Sequence, residues 1–250
     1  MRKADSNGRR WTSTLAWVAL GAAIGAAIVA LGTGPGYRLS WWQLGPAIQA
    51  MRWAAIVAMS AAVIGLIAAV VAFRITAVGP MRVALASVIV GLAVALPPLS
   101  LYLRAQDLPR IHDITTDPDH PPAFVATLPL RQKASNPTNY LPETATAQKS
   151  AYPDIAPKVL KMPPDEAFKR AENAAKAMGW QIVEISRPDH RIEATDTSLL
   201  FGFKDDIVIR LTPLADGTRI DVRSLSRVGG SDFGVNAKRI REFMRRLDSE

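Results

Sequence analysis

The chain has 250 residues, with 30 Lys and Arg, 22 Asp and Glu, and no cysteine. The lack of cysteine excludes disulfides, catalysis by a thiolate and cysteine-based metal sites. The positive charge does not indicate a nucleic-acid partner, because it is concentrated in residues 1–103, with eight basic residues and one acidic residue. Residues 104–250 are nearly balanced, with 22 basic and 21 acidic residues.

Three long apolar runs occupy the first part of the chain, at about residues 14–32, 54–73 and 83–103. Each is close to the roughly 20 residues that a helix needs to cross a hydrocarbon core. No Asp, Glu, Lys, Arg or His interrupts them. Because ion and proton transporters keep ionisable side chains inside the bilayer, we predict a transmembrane anchor in residues 1–103, with the lipid bilayer as its partner.

Small residues recur four positions apart in these spans, a spacing that lets helix backbones approach closely in lipid. The pairs are Gly21 with Gly25, Ala61 with Gly65, and Ser87 with Gly91. Two interpretations stay open. The pairs pack the three helices on one another, or Gly21 and Gly25 form the contact of a homodimer.

The basic residues that flank the spans predict the orientation of the chain. Six lie on the side of the N-terminus and four on the other side, and the cytoplasmic side carries the excess of Lys and Arg. The six are Arg2, Lys3, Arg9, Arg10, Arg74 and Arg82, and the four are Arg38, Arg52, Arg104 and Arg110. We therefore expect a cytoplasmic N-terminus and a periplasmic or otherwise extracytoplasmic C-terminal region.

Residues 104–163 are predicted to be a strap or linker, because prolines disfavour regular structure. The stretch 104–164 holds 11 of the 18 prolines. It is either a loose spacer or an extended strap laid across a folded domain. The varied composition of residues 111–117 favours an ordered strap.

Residues 164–250 are predicted to form an α+β domain. Prolines and acids at 163–166 open a helix that ends at Gly179. Four strand-like runs follow, at 180–186, 191–197, 206–213 and 218–227, and a last helix covers about 236–247. With the short extended stretch at 158–162, the order is strand, helix, four strands, helix. This order indicates an antiparallel sheet with the helices on one face.

A hairpin turn at Asp216-Gly217 would set the register of the last two strands. It would pair Arg210 with Arg223, and two arginines directly opposite one another repel. Either Glu193 on a neighbouring strand neutralises them, or they bind an anionic group together with Arg227, since guanidinium groups suit carboxylate and phosphate.

The glycine-rich stretch from residue 226 to residue 234 leads into the last helix. Ser231 or Asp232 is suited to cap that helix. Alternatively, Arg227, Ser231 and Asn236 form a ligand site at the helix N-terminus. The sequence lacks a Walker lysine step, which argues against a nucleotide.

His112, Asp113 and His120 are the only histidine-containing cluster with the residue types that bind zinc or iron. Their spacing matches no recognised metal motif, and turn formation by Asp and Thr explains the same residues. We therefore predict neither a metal nor a cofactor.

Several motifs in the C-terminal region resemble DUF1499, a domain-of-unknown-function family found in bacterial and plastid proteins. The resemblance covers about residues 108–250 and leaves the three spans outside it. It implies a shared fold and no particular activity. The motifs are 111–117 (IHDITTD), 121–124 (PPAF), 152–155 (YPDI), 191–195 (RIEAT), 201–206 (FGFKDD) and 226–236 (SRVGGSDFGVN).

Together these patterns predict a membrane-anchored, non-catalytic binding or assembly module of the cell envelope. Its partner would be another membrane or envelope protein. Two alternatives stay open: a metal-dependent or other hydrolase acting outside the cytoplasm, and an accessory subunit of a larger membrane complex.

Overall fold

The structure is a computed structural model that describes residues 2–248, with the side chains of residues 2–6 left out of the description. The side chains of Arg2 and Lys3, on which part of the predicted orientation rests, therefore lie outside the described residues, as do the last two residues of the predicted domain. The chain divides after Gln106 into two compact units, which are described separately.

The first unit consists of three long helices: α1 (Arg2–Arg38), α2 (Leu44–Arg74) and α3 (Val78–Ala105). The described residues contain three helices long and apolar enough to cross a membrane. The prediction of three long apolar helices is therefore confirmed. Each helix begins before its apolar run and ends after it, since helical hydrogen bonding does not have to stop where the side chains become polar.

Small residues pack the three helices together. The Ser87 hydroxyl donates a hydrogen bond to the Ala61 carbonyl at 3.1 Å. A Cβ atom added to Gly91 would lie 2.5 Å from the Ala58 carbonyl oxygen, so α2 and α3 approach at this glycine. Gly21 and Gly25 are exposed, and an added Cβ would meet nothing within 4 Å. They take no part in this packing, and the homodimer stays a prediction.

The second unit is an α+β domain with an open antiparallel sheet, as predicted. Six strands form it in the order β1-β6-β5-β4-β3, and β2 also pairs with β6. The elements are β1 (Asp113–Thr115), a 3-10 helix (Leu128–Arg131), α4 (Pro142–Ala151), β2 (Lys158–Leu160), α5 (Pro164–Ala177), β3 (Gln181–Ser186), β4 (Arg191–Thr197), β5 (Lys204–Leu214), β6 (Gly217–Ser226) and α6 (Val235–Arg246).

One face of the sheet packs on α5 and α6. Phe168 of α5 and Phe243 of α6 are buried with Ile209 and Val222 of the central strands. Trp180 stacks on Phe243 with ring centroids 5.5 Å apart. Because side chains alternate between the faces of a strand, the residues between these apolar positions point to the opposite face.

The predicted register of the last hairpin is wrong by two residues. Arg210 pairs with Asp221, and Arg223 pairs with Val208. The turn consists of Ala215 and Asp216, because Gly217 is already part of β6. A shift of two residues preserves which face each side chain occupies, so the predicted faces hold although the predicted partners do not.

Gly217 is required by a close approach to another strand. Its φ is 144°, and an added Cβ atom would lie 2.2 Å from the carbonyl oxygen of Leu160 at the end of β2. The Asp216-Gly217 pair therefore resembles a turn signal for a reason unrelated to the turn.

The segment that the sequence predicts as a strap contains β1, the 3-10 helix, α4 and β2. Both short strands pair with the same edge of β6: β1 with residues 223–225, and β2 with residues 218–220. Between them, residues 116–141 contact the face of the sheet opposite the helices through Glu193, Asp206 and Arg223. We call this the covered face.

Candidate functional site

The covered face contains the largest concentration of buried charge among the described residues of the second unit. Glu193, Asp206 and Asp221 are fully buried, and Asp113 and Arg223 are nearly so. An ionised group in the protein interior is costly unless it is paired and hydrogen-bonded. The partners of each group therefore decide whether this face is a reactive site or a structural layer.

Glu193 binds the backbone of the strap. One carboxylate oxygen accepts the N–H groups of Val125 and Ala126, both at 2.9 Å. The other accepts the Thr127 N–H at 2.9 Å and the Thr127 hydroxyl at 2.8 Å. Both carboxylate oxygens of Glu193 are thus engaged. Arg210 and Arg223 do not pair with each other, so the prediction that Glu193 neutralises such a pair is wrong.

Asp206 is held by two arginines. Arg227 binds it through two nitrogens, at 2.9 and 2.7 Å, and Arg131 of the strap donates at 2.6 Å. The Thr195 hydroxyl donates at 2.7 Å. Burial lowers the pKa of Arg131 and its hydrogen bond to Asp206 acts in the opposite direction. Arg131 belongs to the strap and Arg227 follows β6, and both bind Asp206. Together they attach the strap to the start of β5 and the end of β6.

Arg223 binds Asp113 with two hydrogen bonds, at 3.0 and 2.7 Å. It also donates to the carbonyls of Pro122 and Thr138, and its guanidinium lies 5.0 Å from the centroid of the Phe124 ring. Burial raises the pKa of Asp113, whereas Arg223 acts to lower it. Arg223 therefore lies beneath the strap and binds it, and it is not part of an open surface.

Arg210 is the most accessible of the arginines that the sequence predicts as ligands. It lies 3.1 Å from both Asp117 and Asp221, and a third of its side chain is exposed. Arg219 lies 2.7 Å from Asp117 and 2.9 Å from Asp221 and is equally exposed. Burial acts to raise the pKa of Asp117, but the His120 N–H, Arg219 and Arg210 together hold it below its usual value. Two buried or nearly buried carboxylates thus orient two guanidinium groups at the margin of the covered face.

Asn236 and Ser231 lie near the start of α6. Asn236 donates to the His112 carbonyl and the Ser226 hydroxyl, both at 3.0 Å, and accepts from the Ser224 hydroxyl at 2.7 Å. Ser231 only accepts a long hydrogen bond from the Phe233 N–H at 3.3 Å. Asn236 joins the first turn of α6 to β6, so it lies on the other side of the sheet from Arg210 and Arg223.

Asp232 closes the N-terminus of α6. Its carboxylate accepts the Gly234 N–H at 3.0 Å and the Asn236 N–H at 2.7 Å. Burial raises the pKa of Asp232, while these two N–H groups act to lower it. The N-terminus of α6, where the sequence suggests a ligand site, therefore already binds a carboxylate of the chain itself.

The possible metal ligands are not brought together. Asp113 is engaged with Arg223, and the His120 side chain is 86% exposed and lies 4.0 Å from Asp117. The buried Nδ1 atom of His112 has no hydrogen-bond partner. Among the side chains that the structure describes, in residues 7–248, no three His, Asp or Glu residues form a group that could hold a metal ion.

Several residues of this layer were not singled out from the sequence. Arg131 and Asn136 come from the strap, and Arg219 and Asp221 from β6. One pattern in the sequence could have found them. Glu193, Asp206 and Asp221 occupy strand positions whose side chains all point to the face opposite α5 and α6. Three carboxylates on one face of a sheet require cationic partners, and a nearby strap containing arginine is a source of them.

A comparison with protein families finds one that covers more than half of the chain. The family described as "Protein of unknown function (DUF1499)" matches residues 113–247. The match begins at β1 and ends just after α6, so it includes the strap as well as the sheet. No curated protein matches the chain.

Proposed function

Because this chain belongs to the DUF1499 family of proteins of unknown function, we propose from its own structure that residues 107–250 are a non-catalytic binding or assembly module of the cell envelope. Three membrane helices anchor it. The proposal includes a cytoplasmic N-terminus and an extracytoplasmic module, which the flanking charges favour.

One observation carries this proposal: the charged side chains of the covered face bind the strap to the sheet. Glu193, Asp206 and Arg223 each contact residues from both parts. A general acid or base has to come within hydrogen-bond reach of its substrate, whereas these groups are buried and engaged. Such a layer supports a rigid scaffold that displays its outer surface to a partner.

Arg210 and Arg219 are the proposed contact for an anionic protein partner. Asp117 and Asp221 fix their orientation, a third of each arginine side chain is exposed, and guanidinium groups suit a carboxylate. Arg223 and Arg227 act in this proposal as supports, because they hold the strap beside which the pair lies.

Capture from native membranes tests the proposal. The full-length chain carrying Arg210→Gln and Arg219→Gln would be cross-linked and purified in mild detergent beside the unchanged chain. We expect at least one protein to be captured by the unchanged chain and its yield to fall several-fold with the double variant. A matched control is Arg245→Gln, since Arg245 is an exposed arginine of α6 that pairs with Glu242, one turn earlier in the same helix.

Thermal unfolding of the same samples separates loss of contact from loss of fold. Equal capture by the double variant at an unchanged melting temperature would contradict the role of this pair. Capture of nothing by the unchanged chain would contradict the assembly function itself.

A further inference from the structure

Two loops of the second unit lie at the end of the sheet where β1 begins. Because the sheet is antiparallel, β1 begins, β4 ends, β5 begins and β6 ends at this same end. The loops at 198–203 and 227–234 therefore project in the same direction. The N–H of Asp232 donates to the Ile111 carbonyl at 3.1 Å, which ties the second loop to the residues just before β1.

This end of the sheet exposes several large apolar side chains, with 39% to 92% of their surface accessible. We call them the apolar rim: Leu130, Leu199, Leu200, Phe233 and Val235. Arg227 links two of its parts, because the guanidinium donates to the Leu130 carbonyl at 3.0 Å and the N–H donates to the Lys204 carbonyl at 2.9 Å. Exposed apolar clusters of this kind mark contacts with proteins or membranes.

The charges around the rim are mainly positive. Lys133, Lys204 and Lys238 are exposed near it. The nearby Asp196 and Asp205 are both paired with Arg239, and Asp232 is buried against the N-terminus of α6. Apolar side chains flanked by cations suit a surface of acyl chains and anionic headgroups.

The tether limits how far this end can move from a bilayer. α3 ends at Ala105 and β1 begins at Asp113. Even fully extended, residues 106–112 span at most about 25 Å. At the opposite end of the sheet, the turn at 187–190 reads Arg-Pro-Asp-His, and Leu214, which is 46% exposed, lies beside the turn at 215–216.

We propose that the apolar rim inserts into the headgroup layer of the bilayer that holds the three helices. The partner is the lipid surface itself, with acyl chains contacting Leu199 and Phe233 and anionic headgroups contacting the lysines. This inference rests on the membrane anchor and not on the proposed protein partner, so either can fail without the other.

The absence of cysteine makes a depth measurement direct. Single-cysteine chains Leu199→Cys and Phe233→Cys would be labelled with an environment-sensitive fluorophore and reconstituted, full length, into vesicles of phosphatidylcholine and phosphatidylglycerol. Asp216→Cys is the matched control, since Asp216 is an exposed residue in the β5–β6 turn at the other end of the sheet.

We expect lipids brominated on the acyl chain to quench the two rim labels several-fold more than the control label. Aqueous iodide should quench them several-fold less. Rim labels that iodide reaches as readily as the control would overturn the proposal. Labels shielded from both quenchers would also overturn it, because they would show that protein covers the rim.

Discussion

The two units of this protein bury very different groups. The helices α1, α2 and α3 contact one another through alanine, glycine and serine, and Ser87 bonds to a backbone carbonyl. The covered face of the sheet buries carboxylates and guanidinium groups. Lipid offers no hydrophobic drive between helices, so close backbone approach is what joins them. The strap also buries apolar side chains, such as Ile114 in the core and Phe124 on the covered face, and ion pairs with dense hydrogen bonding attach residues 116–141 to that face.

The largest expected effect is a difference in compartment between the two ends of α3. Reporters fused after Gly79, in the first turn of α3, and at the C-terminus should report opposite compartments. The reason is that one span separates them, and the excess of Lys and Arg favours cytoplasm for the first site. An alkaline phosphatase and green fluorescent protein pair would measure this. A cytoplasmic signal from the C-terminal fusion would reverse the proposed orientation.

Breaking the ion-pair layer should be the most destabilising single change in the second unit. Asp206→Asn removes the charge that Arg131 and Arg227 share. Leaving buried cations uncompensated costs about 3–5 kcal/mol of unfolding free energy. Chemical denaturation of the full chain in detergent, followed by circular dichroism, would measure it.

The matched control for that variant is Asp154→Asn. Asp154 pairs with Arg241 while both side chains are about half exposed. An exposed pair contributes about 0–1 kcal/mol, so the control should change little. Similar losses in the two variants would refute the view that the covered face holds the strap.

A bulky side chain should destabilise the three-helix unit when it replaces Gly91 and leave its stability unchanged when it replaces Gly21. Gly91→Leu places atoms where the Ala58 carbonyl already lies, and an insertion into a packed contact costs typically about 1–3 kcal/mol. Gly21→Leu is the control, because a Cβ there meets nothing. Loss of helicity on titration with a harsh detergent measures both.

The Gly21→Leu chain also tests the predicted homodimer. If Gly21 and Gly25 form its contact, the bulky side chain should convert dimer to monomer in sedimentation measurements while the bundle stays intact. An unchanged oligomeric state would remove that prediction.

The smallest expected effect is a pH dependence at the margin of the covered face. Asp117 has a lowered pKa in the folded chain. Its contribution to stability is present above the unfolded pKa of about 3.9 and is lost as the pH falls through the folded value. Asp117→Asn should therefore lower stability at neutral pH, by about 1 kcal/mol or less, and flatten the loss on acidification.

Asp119→Asn serves as the reference for this pH profile. Asp119 is close in sequence, but its pair with Lys149 is largely exposed. The reference chain should lose stability on acidification as the unchanged chain does. Identical profiles for all three chains would mean that Asp117 does not orient Arg210 and Arg219.

The long apolar helices, the fold class and the faces of the last two strands could be predicted, because these follow from local hydrophobicity and from period-2 alternation. The partners could not. Arg131 finds Asp206 75 positions along the chain, and no local pattern specifies such a contact. The register failed at Gly217, where a requirement imposed by β2 resembled a turn signal. The burial of Arg223 could not be predicted either, because nothing in the sequence states that the strap lies on it.

The pairing of both β1 and β2 with β6 also sets an order of folding. β6 is the last strand to be synthesised, and the two strands that frame the strap both need its edge. Until residues 217–226 have emerged and joined the sheet, β1 and β2 have no edge to pair with, although the contacts of the strap with Glu193 and Asp206 can already form. Pairing across such long sequence separations is slow. We expect the strap to be the last part to become protected from hydrogen exchange and the part most sensitive to C-terminal truncation.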